Sequence, residues 1–167
     1  IEAILEERRQ GGPFRDLFDF CRRVDPRRVN RRTLEALTRA GCFDCLGLTR
    51  ATAMAQLPMA VQAADQALRD VAVGQDDLFG LAPAEETVPA DAPVLPEWEE
   101  AERLAQEKEV LGLYLTGHPI DEYEKEVRRF ARQRIVDLKP SRELQTIAGL
   151  IVNLRVMKNK KGDKMGF

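Results

Sequence analysis

The 167-residue sequence has few cysteine, histidine and tryptophan side chains: three Cys, one His and one Trp. No apolar run approaches the length that spans a bilayer, and five of the first ten residues are charged, which resembles no secretory signal. An odd number of cysteines without an export signal is typical of reduced thiols in a reducing cytosol. We therefore expect a soluble, cytoplasmic protein with no membrane role.

Cys42 and Cys45 have the spacing of half a zinc site. A closed zinc site needs four ligands, and the chain offers only Cys21 and His118 beyond this pair. We therefore predict that the cysteines are small buried apolar side chains, and that this chain holds no metal or other cofactor.

Phosphoryl and nucleotidyl chemistry needs paired carboxylates that hold divalent metal ions. The neighbouring acidic residues are better explained as helix-end, peptide-motif and first-turn charges: Asp16 with Asp19, Asp76 with Asp77, and Asp121 with Glu122. His118 lies between Gly117 and Pro119, which favours a turn residue. We predict no catalytic residue, with a small metal-dependent nuclease or phosphoesterase that uses clustered carboxylates as an alternative.

The formal net charge of -2 hides three blocks of different sign. Residues 1–56 hold 11 Lys/Arg against 8 Asp/Glu, residues 57–122 hold 3 against 15, and residues 123–167 hold 12 against 5. Basic flanks suit contact with a nucleic-acid backbone, whereas the acidic middle would be repelled from it. Solvated helix faces are an equally good explanation of charge alone.

Apolar spacing in the first half predicts three helices. A short helix over 15–24 ends at Asp25-Pro26, and a second helix over 31–40 has Asn30 as its N-cap and Gly41 as its left-handed stop. A third helix over 50–73 has Pro58 as a kink or break. Its predicted inward positions are Val61, Ala64, Leu68 and Val71.

The second half begins with a proline-rich stretch at 81–96, which we predict to be a flexible linker. A helix over 97–115 follows, with the apolar positions Trp98, Ala101, Leu104, Ala105 and Leu111, and then a helix with Pro119 at its first position. Alternation from Leu150 to Val156 predicts a strand, and 159–163 a turn into a second strand. Because an isolated hairpin is marginal and Ile1 begins in mid-pattern, we expect both ends to be truncated.

Four ordered blocks resemble the family of bacterial DNA polymerase III alpha subunits: 14–21 (FRDLFDFC), 29–35 (VNRRTLE), 41–47 (GCFDCLG) and 109–120 (EVLGLYLTGHPI). The resemblance covers nearly the whole chain except the linker. It implies a mainly α fold, with a helix-hairpin-helix DNA-binding region at 1–73, a clamp-binding peptide at 74–80 and the linker at 81–96. Connecting helices at 97–140 and the first strands of a truncated OB-type β-barrel at 141–167 would follow.

DNA-binding positions are predicted from basic residues and from the turn between the second and third helices. A glycine-flanked hairpin can grip phosphate through backbone N–H groups, although the alternative for this turn is packing, with Phe43 and Leu46 in the core. The predicted contacts are Arg27, Arg28, Arg31, Arg32, Gly41, Gly47, Arg50, Lys158, Lys160 and Lys161.

The pentapeptide Gln75-Asp76-Asp77-Leu78-Phe79 resembles the clamp-binding motif of bacterial replication proteins. A docking peptide must be exposed, and the following prolines favour that. The alternative is that Leu78 and Phe79 pack on the end of the preceding helix.

The resemblance implies a non-catalytic segment of a replicative DNA-directed DNA polymerase, whose partners would be DNA, the β sliding clamp and other replicase subunits. The parent polymerase would use Mg²⁺ at carboxylates outside this chain. The alternative is a free-standing helix-hairpin-helix DNA-binding protein.

Overall fold

The computed structural model describes residues 1–73, 88–131 and 133–166. The chain divides into two compact units, Ile1–Tyr114 and Leu115–Phe167. The described residues form six α-helices and one β-hairpin, so the prediction of a mainly α fold is confirmed. The elements are α1 (Glu2–Gly11), α2 (Leu17–Arg23), α3 (Arg31–Arg39), α4 (Arg50–Val73), α5 (Glu100–Leu111), α6 (Glu124–Phe130), β1 (Val156–Lys158) and β2 (Lys164–Gly166).

Side-chain caps fix the start of α2 and α3. The Asp16 carboxylate accepts a hydrogen bond from the Asp19 N–H at 2.7 Å, and the Asn30 side chain accepts one from the Thr33 N–H at 3.0 Å. Each cap satisfies one of the N–H groups that a helix leaves unpaired in its first turn. The predicted N-cap at Asn30 is confirmed, and Asp16 is a helix-end charge as predicted.

The C-terminal end of α3 is a Schellman motif. The Gly41 N–H donates to the Thr38 carbonyl, and the Cys42 N–H donates to the Leu37 carbonyl. This pattern needs a left-handed residue after the helix, and Gly41 has φ of 78°. The predicted glycine stop is therefore confirmed.

Helix α4 has the predicted bounds, Arg50–Val73, and continues through Pro58 without a break. Its first turn is capped by Thr49, whose hydroxyl accepts a hydrogen bond from the Thr52 N–H at 3.0 Å. One face of α4 meets α2 and α3 through Ala53, Leu57, Ala60 and Ala64.

The core of the first unit lies between α2, α3 and α4. Leu17, Phe18, Phe20 and Cys21 of α2 are buried, and the Phe20 ring packs edge-on against Phe43 with centroids 5.0 Å apart. The inward position predicted for Leu68 is wrong, because 51% of this residue is exposed. Helices α2 and α3 have only 7 and 9 residues against the 24 of α4 and do not reach Leu68.

The prediction of buried cysteines holds for Cys21 but is wrong for Cys42 and Cys45, which are exposed. Both lie in the turn after α3, where Phe43 occupies the inward position. Burial raises the pKa of the Cys21 thiol to about 12, so this side chain is a neutral apolar group at physiological pH.

Helix α5 buries only part of the face that its apolar spacing predicts. Leu104 is buried, but Ala101, Ala105 and Leu111 are exposed, and the other buried position is Glu107. The physical reason is that an ion pair of Glu107, as well as the apolar side chain of Leu104, holds α5 in place. Apolar periodicity therefore identifies only part of the contact surface of this helix.

The second unit contains α6 and the hairpin. A 3-10 turn, Asp121–Tyr123, precedes α6, so Pro119 lies in the turn before the helix and the prediction of Pro119 as its first residue is wrong. The predicted hairpin is confirmed, with Met157 paired to Met165 in an antiparallel register. Its first strand begins at Val156, later than predicted, because the described residues offer only the three residues of β2 as a partner.

Among the described residues, no helix combines the length and the apolar character needed to cross a membrane. The predicted domain boundaries and the OB-type β-barrel remain predictions.

Candidate nucleic-acid interface

The turn between α3 and α4 has the compact geometry of a hairpin. It contains a 3-10 turn at Asp44–Leu46 and left-handed glycines at both ends, Gly41 and Gly47, with φ of 78° and 74°. Five N–H groups of this turn already donate to backbone carbonyls, those of Gly41, Cys42, Asp44, Leu46 and Gly47. Phe43 is buried and Leu46 packs against the core. The geometry favours packing over phosphate binding for most of the turn.

Arg50 begins α4 and is the buried centre of this region, with 2% of the residue exposed. Its guanidinium forms ion pairs with Asp44 at 2.9 Å and with Glu107 at 2.8 Å, and donates to the Arg39 carbonyl at 3.3 Å. Burial alone would lower the pKa of Arg50, but the hydrogen bonds that the guanidinium donates to both carboxylates outweigh it and raise the pKa. The charged side chain of Arg50 therefore connects the turn, α3 and α5.

Gly41 is required by the position of Arg50. A Cβ at residue 41 would clash with the Arg50 guanidinium and the Asp44 carboxylate, and its φ of 78° is strained for any other residue. The absence of a side chain at Gly41 therefore allows the Arg50 guanidinium to approach the backbone closely. Arg50 is buried and is not accessible to a DNA phosphate. The DNA contact predicted for Arg50 requires an exposed guanidinium.

The segment before α5 is hydrogen-bonded to the first turns of α4. Thr49 and Thr52 donate to the Leu95 carbonyl, and the Leu95 N–H donates to the Thr52 hydroxyl at 2.8 Å. The Gln56 amide donates to the Pro93 carbonyl at 2.9 Å. The end of the predicted linker is thus held on α4 rather than free.

Glu97 caps the N-terminus of α4 from 47 residues away. Its carboxylate accepts hydrogen bonds from the Arg50 N–H at 3.0 Å and from the Trp98 N–H at 2.8 Å. Burial alone would raise the pKa of Glu97. These two backbone hydrogen bonds, together with a third from the Ala51 N–H and the positive charge of Arg50, instead lower the pKa. A negative charge here also complements the positive end of the helix dipole.

The predicted arginine cluster is exposed between α2 and α3. Arg27 and Arg28 lie in the turn, and Arg31 and Arg32 lie in the first turn of α3, all on the surface. Arg31 forms an ion pair with Glu35 at 3.0 Å, and Asp25 accepts the Arg27 N–H. Exposed basic groups at a turn fit neutralisation of phosphate rather than base readout.

The predicted lysines of the second unit are also exposed, on the hairpin. Lys158 pairs with Lys164 across the two strands, and Lys160 and Lys161 lie in the turn. The Asn159 side chain accepts hydrogen bonds from the N–H groups of Lys161 and Asp163 and so fixes the turn. Like charges directly opposite each other are destabilising, and an anionic ligand would relieve this repulsion.

The other predicted sites have the following positions. His118 is a turn residue as predicted, since the Asp121 N–H donates to its carbonyl at 2.8 Å. Within the described ranges there is no group of three or more His, Cys, Asp or Glu residues arranged to hold a metal ion. The predicted clamp-binding residues, Gln75 to Phe79, lie outside the described residues.

Comparison with known proteins first defines the class. Residues 1–53 match the family described as the helix-hairpin-helix motif, which covers α1 to α3, the turn and the start of α4. The helix-hairpin-helix prediction is therefore confirmed.

Similarity to particular proteins extends along the whole chain. The chain is 58% identical to DNA polymerase III subunit alpha of Pseudomonas aeruginosa over 100% of its length, and 49% identical to that of Vibrio cholerae over 99%. It is 46% identical to that of Escherichia coli K12 over 99%. The chain covers 16%, 15% and 15% of these relatives. The chain is similar over its whole length to one segment of DNA polymerase III alpha subunits, as its motifs indicated.

Sequence reasoning missed the acidic partners of Arg50. Glu107 is fully buried at 0% exposure, and its partner is 57 residues away. No pattern of neighbouring residues predicts an ion pair between positions so far apart in the sequence. The available signal was a glutamate at a position that shares the buried face of α5 with Leu104.

Replacement of Glu97 with Gln should reduce stability by about 1 kcal/mol at pH 7, the usual size of a capping contribution. Because the pKa of folded Glu97 is below its usual value of 4.5, its stabilisation is fully present above that value and is lost as pH falls through the folded pKa. Urea unfolding of both proteins between pH 7 and pH 3 should therefore show a difference that shrinks with acid.

Glu99→Gln is the matched control, because Glu99 is exposed two residues away. A Glu97→Gln deficit that stays constant down to pH 3, or that Glu99→Gln reproduces, would contradict the capping role.

Proposed function

We propose that this chain is a DNA-handling and clamp-docking segment of a replicative DNA-directed DNA polymerase. The observation that carries the proposal is similarity over the whole chain to DNA polymerase III subunit alpha, together with the helix-hairpin-helix match. Because the chain covers only 16% of that relative, we assign the polymerase chemistry and its Mg²⁺ to other parts of the parent protein.

The DNA contact is sequence-independent and made by exposed basic side chains. Arg27 and Arg28 are exposed in the turn between α2 and α3, and Arg32 is exposed in the first turn of α3. The hairpin lysines form a second basic group in the other unit. Contacts of this kind position a protein on the backbone without reading bases. Their binding energy comes mainly from release of counterions, so it depends strongly on salt.

The clamp contact is assigned to Gln75 to Phe79. Helix α4 ends at Val73, two residues before Gln75, and the Pro93 carbonyl accepts a hydrogen bond from Gln56 of the same helix. Leu78 and Phe79 are adjacent apolar side chains in a polar segment, which is the composition of a short docking peptide. We assign the pocket contacts to this pair and a directional hydrogen bond to Gln75, with other replicase subunits as further partners of the parent protein.

For DNA, Arg27→Gln with Arg28→Gln should weaken binding and flatten its salt dependence. Each lost phosphate contact should reduce the slope of log K against log salt by about 0.9. The measurement is fluorescence anisotropy with labelled duplex and single strands at several salt concentrations. Arg8→Gln with Arg9→Gln removes the same charge from exposed positions of α1 and should change the slope less. Equal slopes for both pairs would reject a specific role for the arginine cluster.

For the clamp, Leu78→Ala with Phe79→Ala should nearly abolish binding to purified sliding clamp, with a loss of about 2 kcal/mol or more per anchor. Calorimetric titration measures the affinity, and thermal unfolding of the same variants measures stability. Asp76→Asn with Asp77→Asn is the control and should have a much smaller effect. If the double alanine variant melts at a lower temperature but binds the clamp normally, the two side chains pack on the protein instead.

A further inference from the structure

Arg50 is covered by a strongly acidic part of the same chain. Residues 93–111, which we call the acidic arm, contain six acidic and two basic side chains. The arm begins with the segment hydrogen-bonded to α4 and ends with α5. Two of its carboxylates contact Arg50, since Glu107 pairs with the guanidinium and Glu97 accepts from the backbone N–H.

The two groups that the arm occupies are those that bind phosphate in other proteins. A guanidinium pairs with phosphate oxygens, and the N–H groups at a helix N-terminus favour any anion. Here a carboxylate oxygen lies 2.8 Å from Arg50 Nη1 and another lies 3.0 Å from Arg50 N. The arm therefore presents carboxylates where a nucleic-acid backbone would present phosphate oxygens.

The arm and the helix beneath it contain buried polar atoms without hydrogen-bond partners. Among the described residues, the buried side-chain atoms without a hydrogen-bond partner are Gln56 Oε1, Arg103 Nε and Gln106 Oε1. Arg103 and Gln106 belong to the arm, and Gln56 lies under it, bonded to Pro93. Unpaired buried polar atoms are destabilising, so the arm is held less tightly than its ion pairs suggest.

The energetics of Arg50 favour exchange of one anion for another. A buried ion pair contributes little net stability, because desolvation offsets most of the attraction, whereas an unpaired buried charge is strongly destabilising. Arg50 consequently needs an anionic partner at all times. A phosphate could replace Glu107 without leaving the guanidinium unpaired, while Asp44 remains on its other side.

We propose that the acidic arm is an autoinhibitory cover that mimics DNA and is displaced by it, so that Arg50 joins the interface only when the arm opens. This inference rests on the proposed DNA-binding function. It accounts for a basic residue at the start of α4 that the closed arm buries. The displaced arm would also take its negative charge away from the DNA.

The test is DNA affinity of the whole chain and its variants by fluorescence anisotropy. Glu107→Gln weakens the cover and should bind duplex DNA about five-fold more tightly than the wild type, because the open state becomes more populated. Glu109→Gln removes the same charge from an exposed position of the same helix and should have a clearly smaller effect. In Glu107→Gln with Arg50→Gln the gain should disappear.

Amide hydrogen exchange gives a second readout that does not depend on a variant. In the wild type, addition of DNA should increase exchange along α5 and leave the core part of α4 protected. If Glu107→Gln binds no more tightly than Glu109→Gln, or if α5 is equally or more protected with DNA, the cover is rejected. Absence of DNA binding by the wild type would instead reject the proposed function on which it rests.

Discussion

Arg50 must have carboxylate partners, because a guanidinium buried to 2% exposure cannot be left uncompensated. Its partners come from two other parts of the chain, Asp44 in the turn after α3 and Glu107 in α5. Gly41 is fixed by the same constraint, since only a residue without a side chain leaves room for the guanidinium. The positions of the turn, the start of α4 and α5 thus depend on one charged side chain.

The pairing also explains how the acidic middle of the sequence coexists with a basic surface. The acidic arm uses two of its carboxylates internally, on Arg50 and on the N-terminus of α4. The arginines between α2 and α3 remain on the surface, where they can meet an external polyanion. Within the first unit, two carboxylates of the acidic arm are therefore used in internal contacts, whereas the arginines between α2 and α3 are exposed.

Local signals in the sequence predicted most of the first unit. The caps at Asn30 and Gly41 gave α3 within a residue, and the bounds of α4 were correct because its start and end carry clear signals. The exposed turn arginines and the hairpin were also predictable, since both depend on short-range pattern. Errors arose where tertiary contact decides burial: Leu68 extends past the helices that would cover it, and Cys42 faces outward beside Phe43. The contacts of Glu97 and Glu107 join residues 47 and 57 positions apart, which periodicity cannot reveal.

The most direct measurement of the central role of Arg50 is a double-mutant cycle of Arg50→Gln and Glu107→Gln, followed by urea unfolding at neutral pH. Each single variant should lose about 3–5 kcal/mol, because it leaves one buried charge without a main partner. The double variant should lose less than the sum, with an interaction free energy of about 0.5–3 kcal/mol. Strictly additive losses would show that the two side chains act independently and would contradict the account.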